Sequence, residues 1–266
     1  MKKLTTLLLI TIICINSYAQ KLPVVQQAGL RAPAKVKIDG KADEWGDKFQ
    51  AHNTVSDVSY TIANDNNALY VVVQAADVNV INTIFGYGLE FAVHKSGRKN
   101  EKDKIAVNYP VNPNQWPNTF RKTDVSGDTA QAAKRMNTNN SKITTLKNLI
   151  VSGIPGLDTV SIYNDAGIMA ASQFNIKAAY TIEFAIPLKQ LGLMENSGST
   201  FSYHIIVNGY KAPKLTGQVI MIAAPGMTPG PPPSAAEVDQ GLADLNARIY
   251  ARNPRTDFWG EYTLAK

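Results

Sequence analysis

Residues 58–73 read VSYTIANDNNALYVVV. Apolar side chains at Val58, Tyr60 and Ile62 alternate with small or polar ones, and a second apolar run, 69–73, follows four consecutive Asn and Asp residues. Alternation with a period of two places successive side chains on opposite faces of a β-strand, and Asn and Asp favour tight turns. The stretch therefore predicts a β-hairpin with a buried face.

The same alternation recurs in the second half of the chain. Residues 180–186 and 201–208 each place aromatic and aliphatic side chains on one face and a more mixed set on the other. Weaker strand candidates are 88–93, 104–109, 148–152, 159–164, 168–175 and 258–264. About ten short strands with frequent turn residues predict an all-β fold, an antiparallel two-sheet β-sandwich.

One helical insertion is predicted before the last strand. Ser234 is a suitable N-cap, Glu237 completes a capping box, and apolar residues follow at helical spacing: Val238, Leu242, Leu245 and Ile249. The Pro-rich segment 225–233 before it is expected to run extended over the surface. We therefore expect residues 36–266 to form one sandwich domain in which 225–252 is an inserted loop and helix, preceded by an N-terminal extension, 20–35.

The N-terminus has the pattern of a secretory signal peptide. Lys2 and Lys3 supply the basic start, residues 7–15 are mainly apolar, and residues 17–19 match the small-x-small cleavage pattern. A membrane-spanning helix would need about 20 apolar residues, so we expect removal of residues 1–19 and a mature chain without a transmembrane span. The alternative is a lipoprotein with a lipidated Cys14. In both cases the protein is exported, to the periplasm, the outer membrane or the medium.

Export also changes the charge and the thiol content. Lys and Arg number 27 and Asp and Glu 21 in the full chain; without residues 1–19 the counts are 25 and 21, a formal charge of +4. The densest basic group, within 95–104, includes Glu101 and Asp103, which argues against a nucleic-acid-binding surface. The single Cys is removed with the signal peptide, so an internal disulfide and a thiolate zinc site are both excluded.

The order of several short motifs resembles family 9 carbohydrate-binding modules. Residues 36–46, VKIDGKADEWG, are similar to the family's N-terminal motif, in which an Ile-Asp-Gly turn precedes an acidic residue and Trp. The hairpin at 58–73, EFAIP at 183–187 followed by Leu191, and DFWGEY at 257–262 are similar to later landmarks and occur in the family's order. The resemblance implies a sandwich that binds carbohydrate without catalysis. Related DOMON-like domains, which bind haem or sugars, share the architecture.

The residue types of the N-terminal motif suit a structural turn. Asp39 can accept hydrogen bonds within its own turn, Gly40 can adopt a positive φ, and Trp45 is expected to bury its ring at the mouth of the sandwich. Trp259 is the corresponding aromatic landmark of the closing strand. The resemblance also permits a structural calcium ion, although the nearby acids lack the spacing of an EF-hand loop: Asp39, Asp43, Glu44 and Asp47.

A loop rich in aromatic and amide side chains, residues 109–121, is the predicted ligand site. Sugars stack their C–H faces on exposed aromatic rings, and amide or charged side chains bind their hydroxyl groups. Trp116 is the predicted stacking platform, with Tyr109 and Phe120 beside it, and the polar candidates are Asn112, Asn114, Gln115 and Arg121. The alternative is that the rings of this loop only cover an edge of the sandwich.

Patterns of catalytic residues do not assemble. The chain has no Gly-x-Ser-x-Gly elbow, no HExxH motif and no phosphate-binding Gly-rich loop. Glu90 and Glu183 are the acids that could form a glycosidase pair, but acids on alternating strands are more often solvated or structural. We therefore expect no enzymatic activity.

The three histidines are expected to be ordinary surface or core residues: His52, His94 and His204. A haem held by His204 with Met169 or Met221 is the chemical alternative, although their spacing does not favour it.

Three functions follow from these features. The first is an exported, non-catalytic module that binds carbohydrate or another extracellular polymer and needs no cofactor. The second is a structural or assembly subunit of a cell-envelope complex that docks a protein partner through 225–252. The third is a haem-binding, DOMON-like domain.

Overall fold

The computed structural model of the chain describes residues 21–46, 48–97, 103–113, 119–121, 128–193, 198–211 and 234–266. The predicted signal peptide and the Pro-rich segment 225–233 lie outside these ranges. The described strands are β1 (Ala51–Asn53), β2 (Val58–Asn64), β3 (Ala68–Ala75), β4 (Leu89–His94), β5 (Lys104–Tyr109), β6 (Asn148–Ser152), β7 (Thr159–Ser161), β8 (Met169–Phe174), β9 (Tyr180–Pro187), β10 (Thr200–Val207) and β11 (Thr256–Thr263). The described helices are α1 (Val78–Tyr87), α2 (Thr129–Ile143) and α3 (Ala235–Arg252), and a short 3-10 turn spans Asp43–Trp45.

The strands form two antiparallel sheets. Sheet A has the order β1-β2-β3-β9-β8, and sheet B has the order β11-β10-β4-β5-β6-β7. The predicted hairpin is the β2–β3 pair, in which Tyr60 lies opposite Val73 and Ile62 opposite Val71. The prediction of an antiparallel β-sandwich with a helix before its last strand is confirmed.

The inner faces of the two sheets form the main core. Each strand contributes every second side chain to it, as the alternation predicts, and the largest fully buried rings are Tyr60, Tyr180, Tyr203, Tyr262, Phe91, Phe184 and Phe201. Between the sheets, the hydroxyl groups of Tyr60 and Tyr203 form a 2.8 Å hydrogen bond. This contact satisfies two polar atoms that burial would otherwise leave without water.

A second, smaller apolar cluster lies on the outer face of sheet A. Trp45 packs there with Ala42, Ala63 and Val72, and its ring is 8% exposed. Val72 alternates with the core residues Val71 and Val73, so its side chain points away from the interior. The expected burial of Trp45 is therefore confirmed, but its expected location is wrong, because the ring covers a sheet face instead of the mouth of the sandwich.

The N-terminal extension is integrated into the fold. Gln26 is buried, and its side chain hydrogen-bonds the backbone N–H and carbonyl of Ile62 on β2. Further along, the hydroxyl of Tyr262 on β11 donates to the Leu30 carbonyl. Residues 21–32 thus contact both sheets along the edge where β2 and β11 approach each other.

Two of the helices were not expected. Asp77 caps α1 by accepting from the N–H groups of Asn79 and Val80, and Asp128 caps α2 in the same way. The predicted helix is α3, and its capping box between Ser234 and Glu237 is present. No described helix is long and apolar enough to cross a membrane.

Candidate functional site

The N-terminal motif is fixed to sheet A by the buried carboxylate of Glu183 on β9. Its Oε2 accepts hydrogen bonds from the backbone N–H groups of Asp39 and Gly40, at 3.0 and 2.8 Å, and its Oε1 accepts from the Trp45 indole at 3.1 Å. Gly40 has a φ of 84°, and a Cβ there would collide with the backbone of Ser172. The predicted turn geometry is therefore present, and its contacts give these residues a structural role.

Burial dominates the electrostatics of this carboxyl group. It raises the pKa of Glu183 to about 7, while the three donated hydrogen bonds act in the opposite direction. The side chain is fully buried, and no cationic side chain among the described residues pairs with it. Ionisation of this carboxyl group places a charge in the buried interior, so the stability of the fold should depend on its protonation state.

The described acids of the N-terminal motif do not form a cluster of metal-ligating side chains. Asp39 Oδ1 accepts from the N–H of Lys41 at 3.0 Å, and Asp39 Oδ2 lies 3.8 Å from the Lys41 ammonium. In the described ranges, no group of three or more His, Cys, Asp or Glu side chains is arranged to hold a metal. Asp47 lies outside those ranges. The structural calcium ion that the resemblance permits stays a prediction.

The structure places the two described aromatic rings of the predicted ligand loop in the core. Tyr109 is 3% and Phe120 is 4% exposed, and Phe120 packs edge-on against Phe85 with ring centres 4.9 Å apart. The prediction that Tyr109 and Phe120 flank an exposed stacking surface is wrong, because other side chains cover both rings. Their positions agree with the alternative that aromatic rings of the loop cover an edge of the sandwich.

Two of the four polar candidates of this loop, Asn112 and Arg121, lie among the described residues. The Asn112 side chain donates to the Phe85 carbonyl at 3.2 Å, and Arg121 is exposed. Trp116, Asn114 and Gln115 lie outside the described residues, so the stacking role of Trp116 stays a prediction.

A cleft opens beside the predicted loop. It lies where β8 and α2 meet two further segments, the one before β6 and the one after β7. Its cavity volume is about 280 Å³. Tyr109 forms part of its floor, with its hydroxyl 3.3 Å from Ser172 Oγ and 3.4 Å from the Leu146 carbonyl. Tyr163 lies at its rim and is 76% exposed. The cleft therefore combines a buried phenol below with an accessible aromatic ring above.

Polar and charged side chains surround the same cleft. They are Asp39, Asn140, Thr144, Lys147, Ser172 and Gln173. Asn140 is held rigidly, because its amide exchanges two hydrogen bonds with the backbone of Phe174. The Lys147 ammonium lies 5.7 Å from the centre of the Tyr163 ring. An aromatic ring with amide, hydroxyl and charged neighbours can hold an amphipathic, hydroxyl-rich ligand.

A second cavity lies on the other side of Leu146, which lines both. Its volume is about 460 Å³, and the predicted residue Asn112 lines it with Lys142, Thr119 and Thr145. Lys142 donates to the Thr119 carbonyl at 3.2 Å, and its ammonium lies 5.2 Å from the centre of the Phe120 ring. Two other cavities, beside Pro187 and beside Pro254, have no aromatic ring among their described lining residues.

Sequence reasoning missed Tyr163, although a signal was present. The predicted strand 159–164 places Tyr163 on the same face as Thr159 and Ser161, two polar residues that are exposed in the structure. An aromatic side chain on a polar strand face is unusual for a residue with only a core role. Strand β7 ends at Ser161, and Tyr163 lies in the turn that follows.

The acids considered for glycoside hydrolysis are far apart in the architecture. Glu183 lies on the outer face of sheet A, opposite Val72. Glu90 lies on the outer face of sheet B, where its carboxylate pairs with the Lys104 ammonium at 2.7 Å. Both sheets and the core separate these two carboxylates, so they do not form a catalytic pair.

Two of the three histidines are buried on the outer face of sheet B. The His204 ring stacks on Trp259 with centres 3.9 Å apart and hydrogen-bonds the Asp257 carboxylate. Burial lowers the pKa of His204, and Asp257 opposes this shift. His94 is fully buried with its ring centre 4.7 Å from that of Trp259. His52 lies near the surface, 3.1 Å from the Ser59 hydroxyl.

This arrangement contradicts one of the two ligand pairs considered for haem, His204 with Met169. Met169 lies on β8 at the outer face of sheet A, whereas His204 lies on the outer face of sheet B. Packed sheets are about 10 Å apart, so the two side chains cannot ligate one iron atom. Met221 lies outside the described residues.

Comparison with solved structures finds a family 9 carbohydrate-binding module from Caldicellulosiruptor kristjanssonii in complex with glucose, which is 15% identical and superposes with a TM-score of 0.33. The match covers 67% of this chain and 75% of that chain. No match is found among protein-family models or among curated proteins. We draw no conclusion about function from a similarity of this size. The proposal below is based on the residues of the cleft.

Proposed function

We propose that this protein is a non-catalytic carbohydrate-binding module whose ligand occupies the cleft at Tyr163. The observation that carries the proposal is the 76% exposure of the Tyr163 ring at the rim of a cleft lined by polar side chains. A pyranose ring presents C–H groups on its face and hydroxyl groups at its edge, so it needs an aromatic surface with polar groups around it. The cleft supplies both.

The size of the cleft supports a small unit of a longer chain as the ligand. Its volume of about 280 Å³ is close to the lower end of the roughly 300–1,000 Å³ typical of small-molecule sites. We expect one sugar ring to stack on Tyr163 and the adjoining rings to extend along the surface. The second cavity, beyond Leu146, is the direction that offers further room.

Isothermal titration calorimetry against a panel of soluble oligosaccharides tests this function. The wild-type protein should bind at least one glycan class, and Tyr163→Ala should weaken that binding about fivefold or more, because an exposed anchor ring is lost. Tyr250→Ala is the matched control, since Tyr250 is also exposed, at 53%, but lies on α3 away from the cleft. Unchanged affinity in Tyr163→Ala would contradict the proposed site.

Export is part of the same proposal. The basic start, the apolar run and the small residues before Gln20 support cleavage at that point. Expression in a Gram-negative host, followed by fractionation and intact mass measurement, should recover a chain that begins at Gln20 from outside the cytoplasm. A full-length chain recovered from the cytoplasm would contradict it.

An assembly role is the second candidate, and it is favoured by the exposure of α3. Leu245 and Tyr250 are each 53% exposed, and the side chains of α3 that the structure describes include no buried one. Deletion of residues 234–252 should then abolish co-purification of an envelope protein from the native cells, while the sandwich keeps its cooperative unfolding. Equal co-purification with and without the helix would remove this candidate.

A further inference from the structure

The segment that contains α2 and the turn after it has an unbalanced charge. Between Asp128 and Asp158 the chain contains four basic residues and no Asp or Glu; the four are Lys134, Arg135, Lys142 and Lys147. Helix α2 ends at Ile143, and the turn after it carries Lys147 to the rim of the cleft. This one segment therefore brings only positive charge to the site.

Two of these lysines line the two neighbouring cavities. Lys147 lines the cleft with Tyr163, and Lys142 lines the second cavity, with Leu146 as the wall between them. Both ammonium groups are held near aromatic rings, Lys147 at 5.7 Å from the Tyr163 centre and Lys142 at 5.2 Å from the Phe120 centre. Among the described residues, neither ammonium group forms an ion pair with a carboxylate.

The acid in the lining of the cleft does not cancel this charge. Asp39 is the acidic residue among the lining side chains, and its carboxylate already pairs with the Lys41 ammonium at 3.8 Å. Its other oxygen accepts the N–H of Lys41 at 3.0 Å. The second cavity has Lys142 as the charged residue of its described lining. A ligand that spans both cavities therefore meets one lysine ammonium group in each of them, Lys147 in the cleft and Lys142 in the second cavity.

We infer that the glycan recognised at this site is acidic, with carboxylate or sulfate groups on its sugar rings. This inference rests on the proposed function. One sugar ring stacks on Tyr163 with its anionic group beside the Lys147 ammonium, and a neighbouring ring places its own anionic group near Lys142. Opposite charges at such solvent-accessible positions strengthen binding modestly, so each lysine should contribute about two- to fivefold in affinity.

Matched pairs of ligands test the inference, because each pair differs only in charge. Oligogalacturonides in acid and fully methyl-esterified form probe carboxylates, and dextran sulfate against dextran probes sulfate. The wild-type protein should bind at least one charged member about fivefold or more tightly than its neutral partner, and the preference should shrink as salt is raised from low to physiological ionic strength.

Lysine variants locate the effect. Lys142→Met and Lys147→Met should each weaken binding of the charged ligand about two- to fivefold and weaken binding of the neutral partner less, so that the preference for the charged ligand shrinks. Lys134→Met is the control, since Lys134 is exposed on the same helix but lines neither cavity. Equal binding of charged and neutral partners, or a preference that both cavity variants leave intact, would overturn the inference.

The acidic ligand and the carbohydrate-binding function can be refuted separately. Binding of neutral glycans alone, with loss in Tyr163→Ala, would refute the acidic ligand and leave the carbohydrate-binding function standing. No binding of any glycan, charged or neutral, would refute the proposed function and the inference with it.

Discussion

Replacing the buried Glu183 by Gln should change the pH dependence of stability. Three hydrogen bonds tie this carboxyl group to the N-terminal motif, from Asp39, Gly40 and Trp45. Gln keeps the size of the side chain and one acceptor oxygen, but it cannot ionise. The difference between the two proteins at each pH therefore isolates the ionisation of this one group.

The sign of the effect follows from the raised pKa of Glu183, about 7 in the folded state against a reference of 4.5. Between pH 4.5 and 7 the folded protein keeps the proton while the unfolded chain has lost it. Stability that this group contributes is therefore fully present below pH 4.5 and is lost as the pH rises to 7. A shift of this size corresponds to about 3 kcal/mol in the free energy of unfolding.

Urea unfolding followed by tryptophan fluorescence, at several pH values from 4.5 to 7.5, measures the effect. The stability advantage of the wild-type protein over Glu183→Gln should fall by about 3 kcal/mol across this range. Other groups that titrate, such as His204, are common to both proteins and cancel in the difference. Glu261→Gln is the control, because Glu261 lies on β11 with an exposed side chain. A difference between wild type and Glu183→Gln that stays constant with pH would refute the reasoning.

Three further substitutions test other parts of the fold. Tyr203→Phe should lower the free energy of unfolding by about 1–2 kcal/mol, because the Tyr60 hydroxyl loses a buried partner; no change in urea unfolding would show that this bond is replaced. Phe120→Ala should cost about 3–5 kcal/mol as a core truncation, and a cost below about 1 kcal/mol would contradict its burial. Ser234→Ala should destabilise α3 by about 1 kcal/mol through loss of its bond to Glu237, seen as faster amide hydrogen exchange in that helix; unchanged exchange would count against the capping box.

The strands were predictable because their signal is local. The predicted segments 104–109 and 148–152 match β5 and β6, and 88–93 and 168–175 lie within a residue or two of β4 and β8. One face of each strand is buried in the same core, so the burial pattern appears directly as alternation in the sequence. Strand β1, with three residues, is too short to show a period.

Helices α1 and α2 escaped prediction for opposite reasons. Helix α1 contains Val78, Val80, Ile81 and Ile84, which favour strands, and it forms a helix because Asp77 caps it and its apolar face packs on the core. Helix α2 is largely polar, with few buried residues, so its apolar period is weak. Its lysines could not be assigned to a cleft before the helix itself was known.

The contacts that define the site join residues far apart in the chain. Glu183 reaches the N-terminal motif across more than 140 residues, and Tyr109 reaches Ser172 across 63. No local pattern encodes such a pairing, because it depends on which strands become neighbours. The composition of the loop 109–121 did indicate the right region, since Tyr109 and Asn112 line the two cavities, but it did not identify Tyr163.

The topology explains why the cleft lies at an edge of the sandwich. The interior is filled by side chains, the outer face of sheet A is covered around Trp45, and His94, His204 and Ile206 are buried on the outer face of sheet B. A flat aromatic platform on either face is therefore not available in the described structure. Residues 21–32 cover the edge beside β1 and β11. The edge formed by β8 on one sheet and β7 on the other remains, and there the turn after β7 presents Tyr163 beside Lys147, which lies in the turn that follows α2. The same arrangement that closes the rest of the sandwich thus places an aromatic ring and two lysine ammonium groups at its open edge.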